Sequence, residues 1–206
     1  MTSSESAPLS LISALPLAGN VVVFDLEWTA WEGSVERNWS GPGEEREIVE
    51  IGAVRLDGGD GLAERAMFDV LVRPTRNPIV SAWFTRLTGI SQTLIDNDAI
   101  SFGEALMLFE AFVGDAATPI LSFSQDPGVL RHNCALNGLA CPFGEGRFYN
   151  AVPAIAAAAQ RPPGSFRTSD LPAMFGFPPT DIAHSAIGDA RCIATALRQL
   201  AAPPAG

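Results

Sequence analysis

The sequence predicts an α/β domain with a mixed five-stranded sheet and helices on both of its faces. Three segments with strand character follow one another near the N-terminus without a helix between them, which indicates an antiparallel meander. Beyond residue 100 helix and strand patterns alternate, which is typical of a sheet covered by helices. With 206 residues and 47% hydrophobic content, the chain is long enough for one domain with a full core.

The first three strands are predicted at residues 21–26, 47–56 and 66–72. The first is a run of valines and other apolar residues, typical of a buried strand. The second ends in a glycine- and aspartate-rich segment, 57–61, which is a strong turn signal. Residues 28–46 are polar and turn-rich and hold three tryptophans, and such a long connection is usually functional or mobile.

The second half of the chain begins with a capping box, in which Ser101 and Glu104 start an amphipathic helix. The elements predicted after it are a strand at 119–123, a helix from 126, a strand at 148–152, a helix at 151–160 and a helix from 184 to about 200. Asp126 is expected to be the N-cap of its helix, with Pro127 at the first helical position. In such sheets a ligand site lies near the ends of the central strands.

The chain is expected to divide into an N-terminal tail or arm at 1–18, a domain at 19–202 and a short C-terminal tail at 203–206. The apolar stretch near the N-terminus follows Glu5 and no basic residue, which argues against a secretory signal. No run of about 18 uncharged apolar residues is present, so no membrane span is expected.

The cysteine count and the charge restrict the class further. The three cysteines show no recognisable metal spacing and are expected to be reduced thiols of a cytoplasmic protein: Cys134, Cys141 and Cys192. A formal net charge of −10 argues against a protein that holds long nucleic acid by phosphate neutralisation alone. It is compatible with an enzyme that grips a short 3′ end, because bound metal ions would invert the local charge.

Two acidic residues stand at the end of the first predicted strand. Asp25 and Glu27 share one face of it, since side chains alternate along a strand. Two like charges this close repel each other near a core unless a cation lies between them. The alternative is that the strand frays at Phe24 and both acids are solvated turn residues.

Three further polar residues are candidates for the same site. Capping alone would explain Asp126, but a cap also lies at a strand-to-helix junction, where a site carboxylate would lie. On an ideal helix His184 and Asp189 would lie about 140° apart, whereas a turn at His184 lets both face one cavity. The alternatives are a polar helix-start residue and a first-turn acid favoured by the helix dipole. The other histidine, His132, is expected at the surface.

Read in order, these residues resemble the DEDDh branch of the 3′–5′ exonuclease family. The resemblance rests on Phe-Asp-Leu-Glu at 24–27, Asp126, and His-x-Ala-x-x-Asp-Ala at 184–190. The segment Leu-Thr-Gly-Ile at 87–90 matches a motif common in that family, and residues 47–54 fit its second strand. The surroundings of the Leu-Thr-Gly-Ile segment are most similar to the exoribonuclease-type members that trim small-RNA and histone-messenger ends.

The resemblance implies a ribonuclease-H-like fold and a two-metal phosphodiesterase. Two Mg²⁺ or Mn²⁺ ions, roughly 3.5–4 Å apart in such sites, would be held by Asp25, Glu27, Asp126 and Asp189. His184 would act as the general base toward the attacking water, and a nucleoside 5′-monophosphate would leave. The substrate-binding residues that it implies are Leu26, Trp28, Leu87, Thr88 and Ile90.

The expected partners are single-stranded nucleic acid 3′ ends or short oligonucleotides. Two features depart from the family pattern: Gln125 stands where exoribonuclease-type relatives usually have an aromatic residue, and the insert at 28–46 is longer than the usual hairpin. Alternative functions are a catalytically silent module that binds nucleic-acid ends and the proofreading subunit of a DNA polymerase. The preference for RNA or DNA and the oligomeric state stay open.

Overall fold

A computed structural model describes residues 11–179 and 184–202 of the chain. Its sheet has five strands in the order β3-β2-β1-β4-β5. The strands are β1 (Asn20–Trp28), β2 (Ile48–Asp57), β3 (Ala63–Leu71), β4 (Ile120–Ser122) and β5 (Phe148–Asn150). The first three form an antiparallel meander, and β4 and β5 join it in parallel, which confirms the predicted mixed sheet.

Seven α-helices are bounded within the described residues: α1 (Ala82–Thr88), α2 (Gln92–Asp98), α3 (Phe102–Val113), α4 (Asp126–Leu136), α5 (Val152–Ala158), α6 (Leu171–Phe175) and α7 (Ala186–Ala201). The three helices absent from the sequence prediction, α1, α2 and α6, have only seven, seven and five residues. Apolar periodicity needs a longer window to stand out. Capping is the clearer signal, because Ser81 and Ser91 accept hydrogen bonds from the amides of Phe84 and Leu94.

The sheet separates two apolar layers, and β1 contributes to both by strict alternation. Val21 and Val23 pack in the layer that contains α5 and α7, whereas Val22 and Phe24 pack in the layer that contains α3 and α4. Asp25 and Glu27 continue the first of these faces. The strand therefore points both carboxylates toward α7.

Strand β1 continues past the valines to Trp28, so the alternative in which it frays at Phe24 is wrong. Glu27 is still in register with Glu50 of β2, and an irregularity follows only between Glu27 and Trp28. Pairing with β2 explains the extension, since β2 pairs with β1 as far as Trp28, whereas β4 pairs only with Val22 and Val23. Both acids are therefore fixed by the sheet.

The insert 28–46 folds back onto the rim of the sheet. The indole nitrogen of Trp39 donates to the Thr29 carbonyl at 2.8 Å, and the rings of Trp28 and Trp39 are 6.0 Å apart. His132 is exposed, as predicted, and its Nε2 is 2.7 Å from a Glu45 carboxylate oxygen.

The cysteines are free thiols, with Cys134 and Cys192 buried and Cys141 half-buried. Within residues 11–179 and 184–202, no helix has the length and hydropathy to cross a lipid bilayer.

Candidate active site

Three carboxylates converge where β1 ends and α7 begins. One oxygen each from Asp25, Glu27 and Asp189 lies within 4.8 Å of the other two. Asp25 and Asp189 are each only 8% exposed, and Glu27 is half-buried. Glu27 and Asp25 come from neighbouring positions on one strand face, whereas Asp189 reaches them from the first turn of a helix more than 160 residues later in the chain.

The close approach of α7 to the sheet explains this meeting. Gly52 is the cross-strand partner of Asp25, and a Cβ atom at Gly52 would lie 2.1 Å from the backbone nitrogen of Ile187. Only a residue without a side chain lets the helix backbone come this near. Two residues earlier on the same face, a carboxylate oxygen of Glu50 accepts a 2.7 Å hydrogen bond from the Ala186 amide. Strand β2 therefore holds the beginning of α7 beside Asp25.

Asp126 reaches the site from the opposite side. The prediction that it is an N-cap is wrong: Gln125 occupies that position without a side-chain cap, and Asp126 and Pro127 are the first two residues of α4. Asp126 is 3% exposed, and its carboxylate accepts hydrogen bonds from the backbone amides of Leu26 and of Asp126 itself. The bond to Leu26 ties this carboxylate to β1, which explains why it does not act as a cap.

The electrostatics of the site follow from burying several like charges together. Burial, followed by repulsion from Asp126 and then Asp189, raises the pKa of Asp25 well above its ordinary value. Burial and repulsion from Asp189 do the same to the pKa of Glu27. Burial also raises the pKa of Asp126 to about 7 and that of Asp189 to about 6.

A further acid adds to this charge. Burial raises the pKa of Glu50 to about 8, although its hydrogen bond from the Ala186 amide acts in the opposite direction. Residue patterning did not indicate this carboxylate, which β2 carries into the site.

His184 lies directly before the N-cap residue of α7, in the turn that the sequence argument required. Ser185 is that N-cap, and its hydroxyl accepts a 3.1 Å hydrogen bond from the Gly188 amide. The backbone of His184 has a φ of 59°, in the left-handed region. Because this turn breaks the helical path between His184 and Asp189, both residues line one cavity.

That cavity has a volume of about 390 Å³ and contains the four carboxylates Asp25, Glu27, Asp126 and Asp189. Of the predicted substrate-binding residues, Leu26, Trp28 and Leu87 line it. Thr88 and Ile90 do not: they are 4% and 5% exposed, and the Thr88 hydroxyl donates to the Phe84 carbonyl and accepts from the Ile90 amide. Both residues are buried next to Leu87 in the chain, where they support the cavity wall without facing the cavity.

Sequence reasoning missed a second group of residues that line this cavity, including Val35, Trp39, Phe123, Phe166 and Arg167. Phe123 and Phe166 pack edge to face, with ring centroids 5.7 Å apart. The tryptophans of the insert were the only available signal for this wall. Phe166 and Arg167 lie in a segment whose pattern showed only turns.

The donor set fits hard divalent cations. Carboxylate oxygens are the ligands that Mg²⁺ and Mn²⁺ prefer. A buried cluster of acids with raised pKa values gains by placing positive charge between its members. Asp25, Glu27 and Asp189 are close enough to share one ion. Asp126 lines the same cavity and is near enough to Asp25 to raise its pKa by repulsion.

A five-stranded mixed sheet with an acidic cluster at the end of its central strand defines a ribonuclease-H-like α/β protein with a candidate metal centre. A family model described as Exonuclease (RNase_T) matches residues 22–197. The chain belongs to this exonuclease family, and the DEDDh resemblance is confirmed.

Individual relatives agree with this assignment. The chain is 30% identical to ERI1 exoribonuclease 2 from Xenopus laevis over 54% of its own length and 15% of the relative's. It is 32% identical to the 3′–5′ exonuclease Snipper from Drosophila melanogaster over 45% of its own length and 31% of that protein's. The chain thus spans less than a third of either relative.

A solved structure extends the comparison to the fold. The nuclease domain of 3′hExo, a DEDDh family member bound to rAMP, superposes with a TM-score of 0.75 at 22% identity. The match covers 90% of this chain and 93% of that one. This similarity establishes the ribonuclease-H-like fold.

Proposed function

We propose that this protein is a metal-dependent 3′–5′ exonuclease that removes nucleoside 5′-monophosphates from single-stranded RNA or DNA. The observation that carries the proposal is the convergence of four carboxylates and His184 on one cavity. A binding module for nucleic-acid ends needs neither the general base nor a cluster of buried acids that repel one another. Family membership supports the reaction class.

In this proposal the carboxylates of Asp25, Glu27, Asp126 and Asp189 hold two Mg²⁺ or Mn²⁺ ions. Such ions, when bound, stabilise charge on the attacking and leaving oxygens. His184 takes a proton from the attacking water as the general base, a role that imidazole side chains commonly fill in enzymes. The phosphodiester bond between the last two nucleotides breaks, and the upstream 3′ oxygen leaves as a hydroxyl.

The walls of the cavity suit a terminal nucleotide. Leu87, which is 37% exposed, presents an apolar surface for the last base in a cavity that the indoles of Trp28 and Trp39 also line. Base stacking on aromatic side chains contributes about 1–3 kcal/mol and tolerates any base. A cavity of about 390 Å³ accommodates one nucleotide and little more, which favours single-stranded ends. The neighbour that carries rAMP supports a monophosphate product.

The test is degradation of matched RNA and DNA oligonucleotides labelled at the 5′ end, with Mg²⁺, Mn²⁺ or EDTA. We expect a ladder that shortens from the 3′ end and depends on the metal. Asp25→Asn should abolish it, because a ligand and a charge are lost with little change in shape. His184→Ala should retain Mn²⁺ binding and lower kcat by about 10²–10⁴-fold.

His132→Ala is the matched control, because that histidine is exposed and lies outside the catalytic cavity. It should cut like the wild type. If neither oligonucleotide is degraded with either metal, the proposal is wrong, and binding of 3′ ends by the intact protein without turnover would favour the silent module instead.

A further inference from the structure

A second cavity, of about 500 Å³, lies beside the catalytic one and has no part in the chemistry proposed above. Ser124 and Gln125 line both cavities, so the two adjoin each other. Ser122 and Asn150, the last residues of β4 and β5, contribute to its wall. It therefore opens at the carboxyl ends of parallel strands, where α/β sheets commonly bind ligands.

The charge of this cavity is opposite to that of the chain. Its lining includes the guanidinium groups of Arg46 and Arg131, against one exposed acid, Glu145. Throughout residues 11–179 and 184–202, neither arginine forms an ion pair with a carboxylate. In a protein with a net charge of −10, two uncompensated arginines in one cavity indicate an anionic ligand.

The contacts of the two arginines leave them available to such a ligand. Arg46 donates to the side-chain oxygens of Gln125, at 3.2 Å, and of Asn38, and its Cζ lies 4.3 Å from the centre of the Trp39 ring. The Cζ of Arg131 lies 5.4 Å from the centre of the Phe148 ring. These are neutral and aromatic contacts that orient a guanidinium without neutralising it. A planar guanidinium held in this way matches two phosphate oxygens.

Unsatisfied polar atoms point to the same ligand. Among the described residues, the Ser122 hydroxyl and Nη1 of Arg131 are buried without a hydrogen-bond partner. Ser122 is only 1% exposed, and both residues line this cavity. Buried polar groups in native proteins are normally paired, so each such exception calls for a partner. A phosphate group offers acceptors to both.

The remaining walls suit the rest of a nucleotide. Phe148 and Tyr149 are half-buried and line the cavity beside the arginines. Aromatic faces of this kind stack on bases without regard to sequence. A volume of about 500 Å³ is in the range of sites that hold a small organic ligand.

We propose that this cavity binds a phosphate of the nucleic-acid strand upstream of the nucleotide that is being removed, with Arg131, Arg46 and Ser122 as its contacts. The inference rests on the proposed function, because it supplies the part of the strand that the catalytic cavity cannot hold. It also explains how an acidic protein retains a polyanion: the strand meets local positive charge in the cavity next to the carboxylates.

The test measures binding of a fluorescent single strand of about ten nucleotides, within the usual span of such sites, by anisotropy in EDTA. In a series of strands, one linkage at a time is replaced by an uncharged methylphosphonate. For the wild type, we expect one linkage near the 3′ end at which the replacement weakens binding about tenfold. For Arg131→Gln the replacement at that linkage should no longer weaken binding, because the guanidinium that binds the phosphate charge is absent.

Two further variants separate binding from folding. Ser122→Ala should weaken strand binding without lowering the melting temperature, since it removes a buried hydroxyl that has no partner in the folded chain. Arg65→Gln is the control, because that arginine is paired with Asp57 and Asp60 on the surface and lies outside the cavity. The dependence of binding on salt should become shallower by about 0.7 for Arg131→Gln and not for Arg65→Gln.

Several outcomes would overturn the inference: equal losses at the same linkage in wild type and Arg131→Gln, disappearance of the linkage effect in the control Arg65→Gln as well, or no strand binding at all. Tighter Arg131-dependent binding of free AMP or inorganic phosphate than of the strand would also overturn it, in favour of a small effector. Hydrolysis of a nitrophenyl ester of a nucleoside 5′-monophosphate with Mn²⁺ tests the proposed function alone. Failure of that reaction, with the linkage effect intact, would count against the nuclease and leave the phosphate site standing.

Discussion

The contact between Gly52 and α7 offers a direct test of how the carboxylates are held together. In Gly52→Ala the new Cβ atom would lie 2.1 Å from the nitrogen of Ile187 and 2.2 Å from the carbonyl carbon of Ala186. Ordinary contacts begin near 3.4 Å, so the first turn of α7 must retreat by about 1.3 Å. Both obstructing atoms belong to the backbone, and no rotation of a side chain relieves the clash.

The displacement reaches the site because Asp189 follows Ile187 by two residues and Gly52 pairs with Asp25. A misplacement of about 1 Å can cost about 10²-fold in rate. Overpacking of a tight contact costs about 1–3 kcal/mol of stability. We therefore expect Gly52→Ala to fold, to melt at a lower temperature and to cut about 100-fold more slowly, with weaker Mn²⁺ binding.

The assay compares kcat on a labelled oligonucleotide, Mn²⁺ affinity by calorimetry and melting temperature with those of Gly103→Ala. A Cβ at Gly103 meets only the Leu139 side chain, at 3.6 Å, and the residue lies in α3. Alanine there should be neutral or should stabilise the helix by up to about 1 kcal/mol. If folded Gly52→Ala keeps the kcat and Mn²⁺ affinity of the wild type, the close approach does not set the geometry of the site.

Three further predictions concern charge and substrate. The folded-state pKa values of Asp126, Asp189 and Glu50 are raised to about 7, 6 and 8. The contribution of these three groups to the stability of the metal-free protein should therefore be greatest below their unfolded pKa values near 4, and it should be lost as the pH rises through 6 to 8. Melting curves across this range should show the decline, and saturating Mn²⁺ should remove it; a flat metal-free profile would contradict the repulsion. Glu50→Gln keeps an acceptor for the Ala186 amide and should retain activity, whereas Glu50→Ala should lower kcat about tenfold. Equal kcat in the two variants would exclude a positioning role for Glu50. Leu87→Ala should raise KM about fivefold to tenfold with little change in melting temperature, because the side chain is 37% exposed and lines the cavity. An unchanged KM would show that Leu87 does not contact the terminal base.

Local patterns were sufficient for the parts of the site that depend on a single element. Alternation along a strand places Asp25 and Glu27 on one face whatever surrounds them, and the sheet keeps both there. The turn at His184 followed from a similar argument, since only a break before the helix lets it share a cavity with Asp189.

Contacts between segments far apart in the chain could not be predicted from the sequence. Nothing in the pattern around Gly52 indicates that a helix backbone more than 130 residues later packs on it, nor that Glu50 receives the Ala186 amide. Asp126 was misjudged for the same reason. Its carboxylate has a partner on β1, at Leu26, and tertiary contact overrides the capping preference of an aspartate before a proline.

The left-handed backbone of His184 offers a way to control the activity of this protein with a small molecule added to the solution. With φ at 59°, the residue adopts a conformation that costs a side-chain-bearing residue on the order of 1 kcal/mol and that glycine adopts freely. A glycine at this position would therefore relax the turn while it opens a space in the cavity where the imidazole ring was. If His184 is the general base, as proposed, free imidazole added to the solution should occupy that space and take up the proton. The left-handed turn thus makes this position suitable for chemical rescue, through which digestion of a strand could be started and stopped by exchanging a buffer.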